Sequence, residues 1–230
     1  MEQIEKKQDS FIKVLYCPVC RESEKQTSLF KINYYSEKVL KLNSISNVPE
    51  INIIRCGSCN HFYASHIIKP EILNRYYSEI NSELYVNKCP EPKDGLIKKH
   101  IHLIKEIEKR YVNGGNILDI GCGTGFLLSY FDKERWNCFG IEPSPYASNI
   151  AKSKGVNIVS KFIEITAEVI EKFDVIVMLD LVEHVPDIND LINKAYKMLK
   201  KDGLLIIGTG NIGSFNAKIG KSKWNYFGSF

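Results

Sequence analysis

The stretch that decides the fold is Asn116–Gly125, NILDIGCGTG: a short apolar run, an acid near its end, and three glycines two residues apart. Asn116 to Ile120 reads as a buried β-strand. Gly121, Gly123 and Gly125 then let the backbone turn tightly and approach a ligand where a side chain would block it. Asp119 reaches the same space from the strand end. A dinucleotide fingerprint, G-x-G-x-x-G, requires glycine three residues after Gly123, and Phe126 stands there instead. The pattern is D-x-G-x-G-x-G.

Downstream of this stretch, short apolar runs alternate with helical patterns. The runs are NILDI, CFGIE, VNIV, FDVIVML and GLLIIGT; between them lie FLLSYFDKE, PYASNIAKSKG, FIEITAEVIEK and DINDLINKAYKMLKKDG. Such alternation implies an α/β fold, a Rossmann-like, doubly wound and mainly parallel sheet of five strands with helices on both faces. Ligands of such sheets bind at the carboxyl ends of the strands, where strand order reverses, and the first strand borders that crevice. The second strand ends in GIEPS, which places Glu142 seventeen residues after Gly125. A carboxylate there can accept both hydroxyls of a ribose. An acid beside the glycine loop also suits a ligand with a cationic part. S-adenosylmethionine offers both.

The runs ILDIGCGTG, GIEPSPYASNIAKSKG, FDVIVMLDLVEHVPD and LKKDGLLIIGTGN, in this order over about Tyr111 to Asn211, resemble the class I S-adenosylmethionine-dependent methyltransferases. The resemblance implies that Gly121, Cys122, Gly123, Thr124 and Gly125 carry the methionine moiety. It implies that Glu142, with Pro143 beside it, holds the ribose, and that Leu179, Asp180 and Leu181 lie near the adenosine or the sulfonium. LKKDG replaces the commoner LKPGG, and TGN stands where TPN is usual. Such relatives add a sixth and a seventh strand; this sequence stops at KSKWNYFGSF, so the expectation is a domain truncated at its C-terminus, with Trp224, Tyr226, Phe227 and Phe230 as an apolar end.

Methyl transfer from a sulfonium is an in-line displacement whose electrophile is already activated, so the protein aligns the partners and, for a hydroxyl acceptor, removes a proton. His184, just past the fourth strand, is the candidate base. The structural reading is that it caps or packs the start of the next helix, with Glu183 bonding loop amides. Asp180, Glu183 and His184 also form D-x-x-E-H, which looks like the E-x-x-E-H of metal-assisted methyltransferases.

The first 66 residues read as a separate module. Cys17-Pro-Val-Cys20 and Cys56-Gly-Ser-Cys59 are two CxxC turns separated by 35 residues. Tetrahedral zinc takes four thiolates from two such turns, and metal binding supplies folding free energy that a short polar module lacks. Structural Zn2+ held by Cys17, Cys20, Cys56 and Cys59 is therefore expected. Cys89, Cys122 and Cys138 read as buried or loop thiols, and His61 and His66 as spare. The segment INIIRCGSCNHFYAS looks like that of zinc-ribbon methyltransferases acting on sugars, nucleotide sugars or surface polysaccharides. The rRNA guanine methyltransferases also carry a zinc module.

Residues 67–111 form a helical connector, clearest in DGLIKKHIHLIKEIEKRY with Ile97, Ile101, Ile104 and Glu108 at helical spacing; Cys89–Lys93, CPEPK, breaks the pattern before it. Residues 112–230 are the cofactor-binding domain. Apolar residues make up 44% and charged residues 25% of the 230, the balance of a folded globular chain. The net charge of +4 comes without a compact basic block, which disfavours nucleic acid as a partner. The N-terminus has no apolar core of a signal peptide and no run approaches the roughly 18 residues of a spanning helix, so a cytoplasmic setting is expected. The sequence thus points to methyl transfer onto a small-molecule acceptor, with a non-catalytic adaptor or an RNA methyltransferase as the other readings.

Overall fold

A computed structural model describes residues 10–32, 40, 45–79 and 94–224. The CPEPK segment with Cys89, and Tyr226, Phe227 and Phe230, lie outside them. By internal contacts the chain forms two units: one takes in the described residues up to Tyr76, with Pro186–Asn189 and those from Gly210 on, and the other takes in the rest.

The first unit is built on short antiparallel strands. β1 (Phe11–Lys13) pairs with β5 (His66–Ile68), and β3 (Ile51–Cys56) lies between β2 (Gln26–Ile32) and β4 (Phe62–Ala64). Ile32, Ile51 and Ile53 form its apolar cluster, against which Phe30, Phe62, Ile212 and Trp224 pack. Trp224, expected as part of an unpacked apolar end, is thus seated on the β2–β3 sheet. Helix α1 (Pro70–Glu79) follows β5.

In the second unit α2 (Asp94–Arg110) leads into β6 (Gly115–Ile120), β7 (Trp136–Ile141), α3 (Pro145–Ser153), β8 (Asn157–Ser160), β9 (Phe173–Leu179), α4 (Ile188–Met198) and β10 (Leu199–Gly208). The five strands are parallel, in the order β10-β9-β6-β7-β8. The chain runs outward from β6 through β7 to β8, then returns to the other side of β6 for β9 and β10, so the reversal falls between β6 and β9. Val175, Ile176, Val177 and Met178 are consecutive and all buried, as a strand covered on both faces requires. Ile104 and Ile107 of α2 enter the core with Ile117, Leu127, Leu128 and Trp136. A short helix, α5 (Phe215–Gly220), and a 3-10 turn, Lys221–Lys223, lead to Trp224 in the first unit. No described helix is long and apolar enough to cross a membrane.

Two expected helices are absent. Phe162–Lys172 is an irregular stretch followed by a turn, consistent with the β-branched Ile163, Ile165 and Thr166 that crowd a helix, and Val169 is its buried anchor. Phe126–Glu134 holds one 3-10 turn, Leu128–Tyr130. Lys133 caps that turn by donating from Nζ to the Leu128 carbonyl at 2.8 Å, and the Trp136 N–H donates to the Asp132 carbonyl at 2.8 Å, which redirects the chain into β7.

Gly125 sits where no side chain fits: its φ is +69°, and a Cβ would lie 3.0 Å from both Ala151 Cβ and Val156 Cγ2. Gly125→Ala is expected to cost about 2–4 kcal/mol of folding stability, combining left-handed strain with overpacking. A urea midpoint equal to that of the unsubstituted chain would refute this.

Candidate functional site

The loop after β6 is fastened to the end of β7. Gly121 and Cys122 both donate N–H to the Ile141 carbonyl, at 2.9 and 3.2 Å. One residue on, Glu142 accepts the Gly123 N–H on Oε2 at 3.0 Å and the Ser144 N–H on Oε1 at 2.8 Å. Ser144 in turn caps α3, accepting from the Ala147 N–H on Oγ, with Pro145 at the first helical position. Gly121, Gly123 and Gly125 have φ of 81°, 54° and 69°, so the turn runs through the left-handed region at every second residue. A Cβ on Gly121 would stand 3.4 Å from Leu181 Cδ1, in contact with the turn that follows β9.

Behind this loop lie two buried acids. Asp119 and Glu142 are each 6% exposed. Burial, and then the neighbouring Glu142 charge, push the Asp119 carboxyl up to about 8. Burial also raises Glu142, against the two N–H bonds that lower it, and the Cys122 thiol is held protonated by burial and by both acids. A pair of carboxyls desolvated together is a poor place for two negative charges and a good one for a ligand that brings hydroxyls or a positive charge.

At the end of β9, Leu179 is half-buried and Asp180 turns out at φ 50°, its N–H donating to the Gly208 carbonyl at 2.8 Å. The following residues form a turn in which the His184 N–H donates to the Leu181 carbonyl at 2.9 Å. Glu183 Oε2 accepts from Thr209 Oγ1 at 3.0 Å. Asp180, Glu183 and His184 do not gather ligand atoms: among the described residues the four cysteines are the one group placed to hold a metal. His100, on α2, packs beside the residue that follows the glycine loop, a contact the sequence does not foretell. Its ring centroid is 5.7 Å from that of Phe126, and the Asp180 charge acts on it.

A family model described as a methyltransferase domain matches residues 95–227. The chain belongs to this methyltransferase family. Curated relatives named ubiquinone biosynthesis O-methyltransferase are 34% identical over 131 residues in Actinobacillus pleuropneumoniae (49% of this chain, 56% of the relative) and 37% identical over 101 residues in Bartonella tribocorum (41% of each). The chain spans about half the length of the curated relatives it matches. Among solved structures, the plantazolicin methyltransferase BpumL, in complex with a pentazolic desmethylPZN analog and SAH, aligns at TM-score 0.51 and 20% identity, over 68% of this chain and 66% of its own, which shows a shared fold.

Ahead of the methyltransferase domain, the Cys17, Cys20, Cys56 and Cys59 sulfurs lie within 4.8 Å of one another, with Cys17–Cys59 at 3.6 Å and Cys20–Cys56 at 3.5 Å. A tetrahedron with Zn–S bonds of about 2.3 Å has edges of roughly 3.8 Å, so the donor set fits zinc. The two turns repeat one geometry. Cys17 and Cys56 donate N–H to the carbonyls of Glu22 and His61, at 2.8 and 2.9 Å. Arg21 and Asn60 donate back to the carbonyls of Cys17 and Cys56, at 2.9 and 3.0 Å, from left-handed φ of 63° and 60°. The N–H groups of Cys59 and Ser58 aim at the Cys56 sulfur and bring its thiol down to about 7, as a metal-binding thiolate needs. Glu22 joins the turns by accepting from Ser58 Oγ at 2.9 Å. His61 stands outside the cluster, stacked on Tyr63.

A carboxyl raised from its ordinary value near 4 in the unfolded chain to about 8 in the folded one contributes stability that is present below about pH 4 and lost as pH rises toward 8. Asp119→Asn, which stays neutral, is expected to flatten the fall in urea midpoint between pH 5 and 8. An unchanged slope would show that Asp119 is not the group responsible.

Proposed function

We propose that this protein transfers a methyl group from S-adenosylmethionine to a hydroxyl of a small-molecule acceptor. The observation that carries the reading is the buried Asp119–Glu142 pair, with Glu142 tied to the glycine loop. When bound, S-adenosylmethionine supplies a methyl group already activated by the sulfonium charge. Gly121, Cys122, Gly123, Thr124 and Gly125 would cradle its methionine part, with Asp119 as counter-charge behind them. Glu142 spends one lone pair of each oxygen on the Gly123 and Ser144 N–H groups and keeps the others for the ribose hydroxyls. Pro143 follows it on the same loop, and Leu179, Asp180 and Leu181 would border the adenosine and the sulfonium.

Oxygen as the methylated atom is supported by the O-methyltransferase names of the curated relatives. A sugar or nucleotide sugar as the molecule bearing that hydroxyl is supported by the likeness of the cysteine module alone. We assign Cys17, Cys20, Cys56 and Cys59 to one structural Zn2+, and a cytoplasmic setting, which keeps thiols reduced, fits this assignment.

Calorimetric titration of S-adenosylmethionine into the zinc-loaded chain tests the reading. Binding is expected, and Glu142→Ala should weaken it by roughly 100-fold, the worth of two charge-assisted hydrogen bonds. A folded chain that takes up no cofactor would overturn the proposal. Elemental analysis should find one zinc per chain, lost on Cys56→Ser together with the β-sheet signal of the first unit; full stability without metal would remove zinc from the account.

A further inference from the structure

The first cysteine turn has an outer side that the zinc assignment does not use. Within Cys17–Cys20, the N–H groups of Val19 and Cys20 aim at the Cys17 sulfur. The carbonyls of the same two peptide groups, those of Pro18 and Val19, accept from Asn189 Nδ2 at 3.1 and 2.9 Å. Each of the two peptide groups therefore bridges the cysteine sulfur and one side-chain amide. A peptide group is planar and turns only as a whole, so a sulfur that fixes two N–H directions fixes two carbonyl directions as well. A metal-bound thiolate accepts both N–H groups, and a peptide polarised at its N–H is a stronger acceptor at its carbonyl.

Asn189 is the second residue of α4. Asp187, two residues before it, meets Arg21, the residue directly after Cys20, at 2.8 Å. Both partners of that ion pair are nearly half exposed, so it adds little, and the amide carries the connection. Pro186–Asn189 belongs with the cysteine turns to the first unit, whereas the preceding residues, Leu181 to Val185, belong to the second. Those residues form the turn after β9 in which the His184 N–H donates to the Leu181 carbonyl, and Val185 alone separates His184 from Pro186. The turn is thus held at one end by β9 and at the other by the segment that Asn189 fastens; released at either end, it gains backbone freedom.

We propose that Asn189 is a positioning residue through which metal held by the cysteine turns orders the chain from Leu181 to Asn189. The inference rests on the zinc assignment above. It gives the cysteine module a second task besides its own stability, that of fixing the segment into which Glu183 and His184 lead. By linkage the effect is reciprocal: what zinc does to this segment, the segment does to zinc by the same factor.

Hydrogen exchange of the full-length chain, read on peptides spanning Leu181–Asn189 with zinc bound and after its removal by a chelator, tests this. Asn189→Asp keeps the size of the side chain and suits a helix start, but has no N–H to give. With zinc bound, it should raise exchange in these peptides by roughly 10- to 30-fold, as two neutral hydrogen bonds are lost, and weaken zinc against a chromogenic chelator by a similar factor. Exchange in β6 and β7 should not change. Asn189→Ala should act in the same direction, and Asp187→Asn by less than about threefold, as an exposed pair implies. Removing zinc should loosen the same peptides in the unsubstituted chain and add less than about threefold in Asn189→Asp, because metal and amide act through one connection. Fully additive effects, or peptides indifferent to both zinc and Asn189→Asp in a chain that binds zinc, would overturn the inference alone. A chain that takes up no zinc would remove the metal assignment and the inference together.

Discussion

The carboxylate of Glu142 is the joint on which the crevice depends. Its two oxygens take N–H groups from opposite sides, Gly123 in the turn after β6 and Ser144 at the head of α3. Neither amide can be satisfied by its own element, because one lies in a left-handed turn and the other precedes a helix. One side chain therefore sets the loop, the end of β7 and the start of α3 at once. The cost is a second buried acid, whose charge acts on Asp119, and two desolvated carboxyls side by side disfavour carrying two negative charges at once.

Much of this was legible in the sequence because it depends on local rules. An apolar run ending in an acid and alternate glycines dictates a strand and a left-handed turn, and an acid after the next strand follows from the repeat of the βαβ unit. The five strands and the four cysteines came from periodicity and spacing in the same way. What the sequence hid was set by contacts distant along the chain. His100 reads as one more polar position on an amphipathic helix; its meaning comes from Phe126 and Asp180, which only the folded sheet brings to it. The one available signal was position, since its helix leads directly into the first strand of the parallel sheet. The segment between β8 and β9 failed for another reason: its apolar residues have helical spacing, and β-branching at Ile163, Ile165 and Thr166 outweighs it.

The cysteine turns show how two unlike sequences, CPVCRE and CGSCNH, reach one backbone path. Both place the fourth residue after the first cysteine at positive φ. Asparagine is at home there and Arg21 is not. Arg21 is held by its surroundings: its guanidinium lies 5.0 Å from the Tyr16 ring centroid and reaches Asp187 Oδ2 at 2.8 Å.

That ion pair belongs to a wider stitching of the first unit. Asn189 Nδ2 donates to the carbonyls of Pro18 and Val19, at 3.1 and 2.9 Å, and Ile212 and Trp224 cover the sheet of Ile32, Ile51 and Ile53. The cysteine module is thus completed by two segments encoded far downstream. It is no cassette: recombination that moved residues up to Tyr76 into another gene would leave behind the side chains that shield its core. Any exchange of this module between proteins has to carry its distant segments along, so that module and methyltransferase domain are inherited as one interleaved chain.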